Sequence, residues 1–264
     1  MSKYVVLMYH RVVSQECPVP DEDHEERRYA VGLGAFEWQM DHLVEVGRRG
    51  VSMKRIHDTL AAGEPVPESW VGITFDDGNA SDHTHALPLL RERGFDATFY
   101  ICGSRVEAPG GLTKSMIRQM GEEGMHIAAH GMTHRFLTTL TPKEEVDELD
   151  ESKRLLEDIT GATVDHFAPP GGRIARRTTA ALARLGYVAV GTSQFGYNGS
   201  RISRFCYRRI PVVEGTGRDA FYDIVSARVI KLLPAFARAA SLRALRMLLG
   251  EGGYRRLRGA SLGK

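Results

Sequence analysis

Short apolar runs alternate along this chain with longer stretches whose apolar residues recur every three to four positions. "YVVLMY" (4–9), "VGITF" (71–75), "DATFYI" (96–101), "MHIAA" (125–129), "VDHFA" (164–168), "YVAVG" (187–191) and "RRIPVV" (208–213) read as strands. Residues 36–49, 81–93, 113–123, 141–161 and 174–185 carry helical spacing, as with Phe36, Met40, Leu43 and Val44 in the first. The stretch 141–161 is the best delimited. Thr141 suits the N-cap, Pro142 the first helical position, Glu144 the reciprocal capping position and Gly161 the residue beyond the end. Strict alternation of strand and helix implies parallel strands, and seven or eight such units in about 225 residues predict a βα barrel.

In such barrels reactive groups collect at the C-terminal ends of strands. His10, the pair Asp76–Asp77, His130 and Pro169 each follow a predicted strand, so several separate strand ends point to one shared site. Residues 14–30, "SQECPVPDEDHEERRYA", read as a long polar loop over the same face.

Composition narrows the class. The 264 residues are 42% hydrophobic and 26% charged, which suits a globular chain, and no apolar run reaches the roughly 18 residues of a membrane span. Three scattered cysteines, Cys17, Cys102 and Cys206, argue against a disulfide framework or a cysteine metal site. "MSKYVVLMYHRVV" at the N-terminus has no signal-peptide pattern, so a cytoplasmic setting is expected.

The net charge is +2, but residues 226–264 hold nine Lys or Arg against Glu251 alone. That tail carries +8 and leaves −6 for residues 1–225. Two units follow: a barrel over 1–225 and a basic helical extension over 226–264. Within the extension, Arg238, Arg243 and Arg246 share one sector of a predicted helix at 235–249, opposite Phe236, Ala240, Met247 and Leu248. Two readings stand: a helix packed across the barrel with a solvated basic face, or peripheral contact with anionic membrane through 235–258. The second would hold the protein at the inner membrane face. The tail lacks interleaved aromatics, so no nucleic acid is expected.

The candidate chemistry begins at "TFDDG" (74–78) and "HGMTH" (130–134). His130 and His134 lie four apart; on one helical turn both imidazoles face the same way. Either motif alone has a plain alternative, a capped turn or a polar helix face. Together they make a two-histidine, one-carboxylate set that suits a divalent ion with open positions, with the second aspartate close enough to act as base.

"TFDDG", "HGMTH" and "FAPPGG" (167–172) resemble, in order and spacing, the first three motifs of the polysaccharide deacetylases, carbohydrate esterase family 4, whose NodB-homology domain is a distorted (β/α)7 barrel. The resemblance covers about residues 4–213. It implies metal-dependent hydrolysis of the N-acetyl amide of an N-acetylated sugar, in a polysaccharide or a lipid-linked saccharide precursor, with release of acetate. It implies Asp76 as catalytic base and Asp77, His130 and His134 as ligands of a divalent metal, usually zinc. Pro170, Gly171, Gly172 and Arg173 form the expected substrate-binding stretch, its glycines serving either a tight loop or close approach of a sugar.

Three departures stand out. Ala168 occupies the place of an arginine that pairs with the base, with Arg173 nearby as a substitute. The aromatic fourth motif is not evident after residue 185. A Leu-x-His motif near the C-terminus is missing, and no histidine follows His166. "VVLMYHRV" (5–12) and "FEWQMDHLVEVGRRGVSMKRIHDTL" (36–60) resemble the opening of the exopolysaccharide, poly-N-acetylglucosamine-type deacetylases, where circular permutation brings that histidine onto the first strand. This implies His10 as the general acid, a task its ordinary pKa near 6.5 suits. "RRIPV" resembles the closing strand of that group, or is an ordinary buried strand with a basic start. His126 and His166 fall inside strand patterns and read as structural; His83 and His85 read as solvated. The alternatives are a barrel that binds glycan without turnover and a hydrolase of another non-peptide amide such as a formamide.

Overall fold

The computed structural model describes residues 3–14 and 24–227; the predicted helix at 235–249, the rest of the basic extension from 228 on and Cys17 lie outside them. The main sheet has nine strands, eight of them parallel: β1 Lys3–Tyr9, β2 Arg49–Val51, β3 Trp70–Asp77, β4 Thr98–Ile101, β5 His126–Ala129, β6 His166–Phe167, β7 Ala189–Val190 and β8 Ile210–Pro211; the ninth, Asn198–Gly199, runs antiparallel to the start of β1. Their order is β8-β1-β3-β4-β5-β6-β7, with β2 beside the first half of β3. Residues 207–212 close the curl. Tyr207 N–H donates to Val190 (3.0 Å), Thr192 N–H donates to Tyr207 (2.8 Å), and Val212 N–H donates to Met8 on β1 (2.9 Å). The result is a distorted parallel βα barrel, as the alternating pattern predicts.

Side chains alternate across each strand, so each strand feeds two cores. Outward residues such as Leu7, Ile73, Phe75, Phe99 and Ile127 pack under the surrounding helices, with Phe75 stacked on Phe99 at 4.8 Å. The inward set holds Val6, Tyr100, Ala128, Ala168, Ala189 and Tyr207, all buried. The three alanines leave room for the two tyrosine rings. Burying a ring of that size is worth about 1.5–3 kcal/mol, so truncating Phe99 or Phe75 would cost at least that much.

The helices around the sheet include α1 Leu33–Glu45, α2 Met53–Ala61, α3 Leu87–Glu92, α4 Lys114–Glu122, α5 Pro142–Thr160, α6 Arg176–Arg184 and α7 Arg218–Val225. In α5 the reciprocal cap of Thr141 and Glu144 forms, and Gly161 ends the helix at φ +67°. Two expectations need correction. Residues 14–30 are not one loop: His24–Tyr29 is helical, and Ala30–Gly32 pairs with Arg11–Val13. The late strands are also shorter than their apolar runs: His166–Phe167 and Ala189–Val190 span two residues each, and Gly191 adds only a single bridge to Tyr207. Among the described residues no helix is long and apolar enough to cross a membrane.

Candidate metal and acid–base centre

Asp76 and Asp77 end β3, and the strand alternation sends them to different partners. Asp76 points inward and is buried. Arg209, fully buried just before β8, grips it with two parallel hydrogen bonds, Nη1 to Oδ1 at 2.6 Å and Nη2 to Oδ2 at 2.8 Å. Arg209 is itself anchored by Thr74 Oγ1 (3.2 Å), the Thr192 carbonyl (3.1 Å) and the face of Tyr100. Burial alone would raise the Asp76 carboxyl. The Arg209 guanidinium and the nearby His130 outweigh burial and hold it below its ordinary range.

Asp77 occupies a backbone conformation rare outside glycine, φ +83°, and Gly78 follows at the same angle. A Cβ on Gly78 would come within 2.8 Å of Ile101, so the sharp exit from β3 requires glycine there. That exit turns the Asp77 carboxylate toward the segment after β5. His130 Nε2 stands 3.3 Å and His134 Nε2 3.1 Å from Asp77 Oδ1, and the two rings are 5.1 Å apart. The histidines do not share a helical turn, contrary to expectation. Left-handed residues at Gly131 (φ +80°) and His134 (φ +59°) fold the segment back on itself. Glu148 on α5, buried, holds this turn by accepting from the Met132 and Thr133 amides (2.7 and 2.9 Å) and from the Thr133 hydroxyl.

The protons show what this cluster can hold. The Ala168 carbonyl can only accept, so His130 Nδ1 donates to it at 2.7 Å. A neutral His130 then presents a bare Nε2 lone pair to a carboxylate oxygen. Two acceptors at that distance repel unless a cation lies between them. Burial works against charge on His130, yet its hydrogen bond to Asp77 and the charges of Asp76 and Asp77 raise its pKa. Burial likewise opposes charge on Asp77, and the two imidazole hydrogen bonds drive its pKa well down. Asp77, His130 and His134, each offering one donor atom within 4.8 Å of the others, thus fit a divalent cation.

His10 follows β1 at the same end. It is mostly buried, its Nδ1 is buried without a hydrogen-bond partner, and its ring lies 4.5 Å from that of Tyr29. Burial lowers its pKa against the opposing pull of Asp76 and Asp77. Asn79 joins the elements here, donating to the His10 carbonyl (3.2 Å) and accepting from Arg105 (3.1 Å). Asp82 is fully buried with neither carboxylate oxygen hydrogen-bonded, and burial and Asp77 push its pKa well up.

Pro170, Gly171 and Gly172 form a short turn after β6. A Cβ on Gly171 would fall 2.5 Å from the Phe136 ring, and one on Gly172 would fall 2.2 Å from Ser193. Tight packing therefore accounts for both glycines. Arg173 lies 5.5 Å from the centre of the Phe136 ring, and the base partner is Arg209 instead. Sequence reasoning missed Arg209 and Glu148. The available signal for the first was the basic start of "RRIPV"; the second had none beyond a carboxylate on a helix.

The fold and this centre define a parallel βα-barrel protein with a clamped carboxylate beside a histidine–aspartate donor set. Residues 63–190 match the family model described as polysaccharide deacetylase. That stretch is a polysaccharide deacetylase domain. It is 27% identical over 221 residues to YxkH of Bacillus subtilis, whose name places it in the same family, covering 83% of this chain and 75% of that one. It is 32% identical over 106 residues to the poly-beta-1,6-N-acetyl-D-glucosamine N-deacetylase of Escherichia coli K12, covering 40% of this chain but only 15% of that enzyme. In fold it is similar to the Streptococcus pyogenes deacetylase PplD, with a TM-score of 0.76 over 84% of this chain and 98% of that one at 23% identity.

Proposed function

We propose that this protein removes acetyl groups from an N-acetylated sugar, in a polysaccharide or a lipid-linked precursor, with a divalent ion held by Asp77, His130 and His134. The observation that carries the reading is the pairing of an Arg-clamped Asp76 with three candidate ligand atoms, from Asp77, His130 and His134, that lie within 4.8 Å of one another. A divalent ion bound there, zinc by the character of its ligands, supplies Lewis-acid polarisation of the acetamide carbonyl and acidifies a bound water. Asp76 takes the proton from the attacking water, and Arg209 keeps it ionised at neutral pH. Arg209 takes no proton itself. His10 protonates the leaving nitrogen; its Nδ1 is buried, so the proton it delivers is the one on Nε2. Its depressed pKa makes the imidazolium a ready donor, though a scarce one as pH rises. The 170–173 turn contacts the sugar.

The glycan-binding alternative rested on Ala168 in place of the arginine and on the missing aromatic motif. Arg209 supplies the absent cation from a later strand and removes the first of those grounds. In this reading residues 1–225 are the catalytic barrel and 226–264 a basic extension, whose stretch 235–258 either packs across the barrel or meets anionic membrane. The test is acetate release from N-acetylglucosamine oligomers by metal-stripped and zinc-loaded protein. Zinc-dependent release that Asp76→Asn abolishes, with zinc still bound, supports the assignment. Zinc binding without any release from sugar, lipid-linked or formylated substrates would leave a binding protein.

A further inference from the structure

The barrel has a second cluster of metal-ligating side chains, at the opposite end of the strands from Asp77. His126 opens β5 and His166 opens β6, with Asp165 just before it. His126, Ala128 and His130 share one face of β5, and at about 3.3 Å per residue the two histidines stand about 13 Å apart along it. Tyr100 and Tyr207 fill the barrel between the two ends. Nothing in the proposed deacetylation uses this lower cluster.

Its hydrogen bonds leave ligand atoms over. Asp165 Oδ1 accepts from His166 Nδ1 at 2.7 Å. A carboxylate accepts only, so the proton of a neutral His166 is on Nδ1 and Nε2 is a bare lone pair. That Nε2 is buried and has no partner. His126 uses Nδ1 with Thr98 Oγ1 at 3.0 Å, and its Nε2, 3.9 Å from Asp165 Oδ1, is likewise buried and unpartnered. The side chains are 1% and 9% exposed, so neither nitrogen is satisfied by bulk water. The rings meet edge to face at 4.5 Å, and His57 on α2 stands 5.4 Å from His166 with its own Nδ1 on the Tyr207 hydroxyl. A carboxylate that fixes one ring nitrogen and exposes the other is the arrangement that supports metal-bound histidines. Asp165 is partly exposed and gives an ion a way in.

We infer that the Nε2 atoms of His126 and His166, with Asp165 as the carboxylate that orients His166, form a second divalent-cation site, of the imidazole class that takes zinc or nickel, which ties the starts of β5 and β6 together. It is independent of the deacetylase reading, because it shares no ligand with the upper centre. The test is zinc titration of the full chain after chelator treatment, with bound metal counted by elemental analysis after desalting. Two equivalents are expected for the wild type, one for His134→Ala and one for His166→Asn. Asp165→Asn, which leaves the buried rings in place, should weaken the second equivalent about 10–100-fold. In the His134→Ala background, zinc at a hundredfold excess over Kd should still raise Tm by about 5–10 °C. A His134→Ala protein that binds no zinc and shows no Tm shift overturns the site, as does full stoichiometry in His166→Asn. Loss of the upper equivalent alone would instead count against the ligands of the proposed active site.

Discussion

Replacing Arg209 with Met tests the acid–base half of the centre on its own. The side chain is fully buried, and its partner Asp76 has a side-chain exposure of 4%, so the substitution removes a cation and strands a carboxylate. Breaking such a pair from one side costs about 3–5 kcal/mol, far more than the pair's net contribution, because the remaining charge has lost both solvent and partner. For a chain this size each kcal/mol moves Tm by about 2–4 °C, so the fall should be about 6–20 °C. The double variant Asp76→Asn/Arg209→Met, with neither charge present, should recover much of that loss.

The pH dependence gives a second, sharper reading. In the wild type Asp76 has a depressed pKa, so its stabilising contribution is present above the unfolded value of 3.8 and is lost as pH falls through the lower folded value. Without Arg209, burial dominates and the carboxyl pKa rises. The variant is then penalised most at neutral pH, and its Tm gap to the wild type should narrow on acidification. If Asp76 is the base, the acid limb of the rate profile moves to higher pH as well, because only the ionised form takes a proton. Scanning calorimetry in chelator across pH 4–8, the range in which such a shift would fall, separates these effects from metal binding. A Tm within 2 °C of wild type, or a gap that ignores pH, would refute the clamp, since even 1 kcal/mol exceeds that shift.

Other expectations follow from neighbouring contacts. Glu148→Gln should loosen the turn that carries His130 and His134 and weaken zinc binding about 10–100-fold, read by competition with a chelating dye. His10→Asn should keep zinc affinity, lower kcat by about 10²–10⁴-fold and remove the basic limb of the rate profile, because the acid works only while protonated. Near-normal kcat would move the acid elsewhere. Truncation after Val225 should abolish salt-sensitive binding to anionic vesicles without changing turnover of soluble oligomers; equal binding by both forms would reject the membrane role of the extension.

The sequence revealed most where one residue's neighbours decide its conformation. The cap at Thr141 and Glu144 and the end at Gly161 are local, and they appear as read. The barrel was legible because strand and helix periods alternate. Asp77, His130 and His134 do converge, but through positive-φ turns rather than a helical repeat, because Gly131 and the Glu148 anchor fold the segment in a way no short-range period encodes. The Asp76 partner was harder to find. An arginine beside a motif looks available, yet Arg173 lies against Phe136, while Arg209 stands 133 positions from Asp76 in sequence. Strand closure decides between them. Once residues 207–212 hydrogen-bond to both Val190 and Met8, the Arg209 side chain has only the inside of the barrel to enter, and there Asp76 is the anion within reach. Burying a guanidinium is tolerable only with that anion present, and burying Asp76 only with that cation. The closing strand and the clamped carboxylate therefore stand or fall together, so an Arg209 variant that loses Asp76 ionisation should also loosen the seam between β8 and β1. Faster amide exchange at Val212, whose N–H crosses that seam to Met8, would show it.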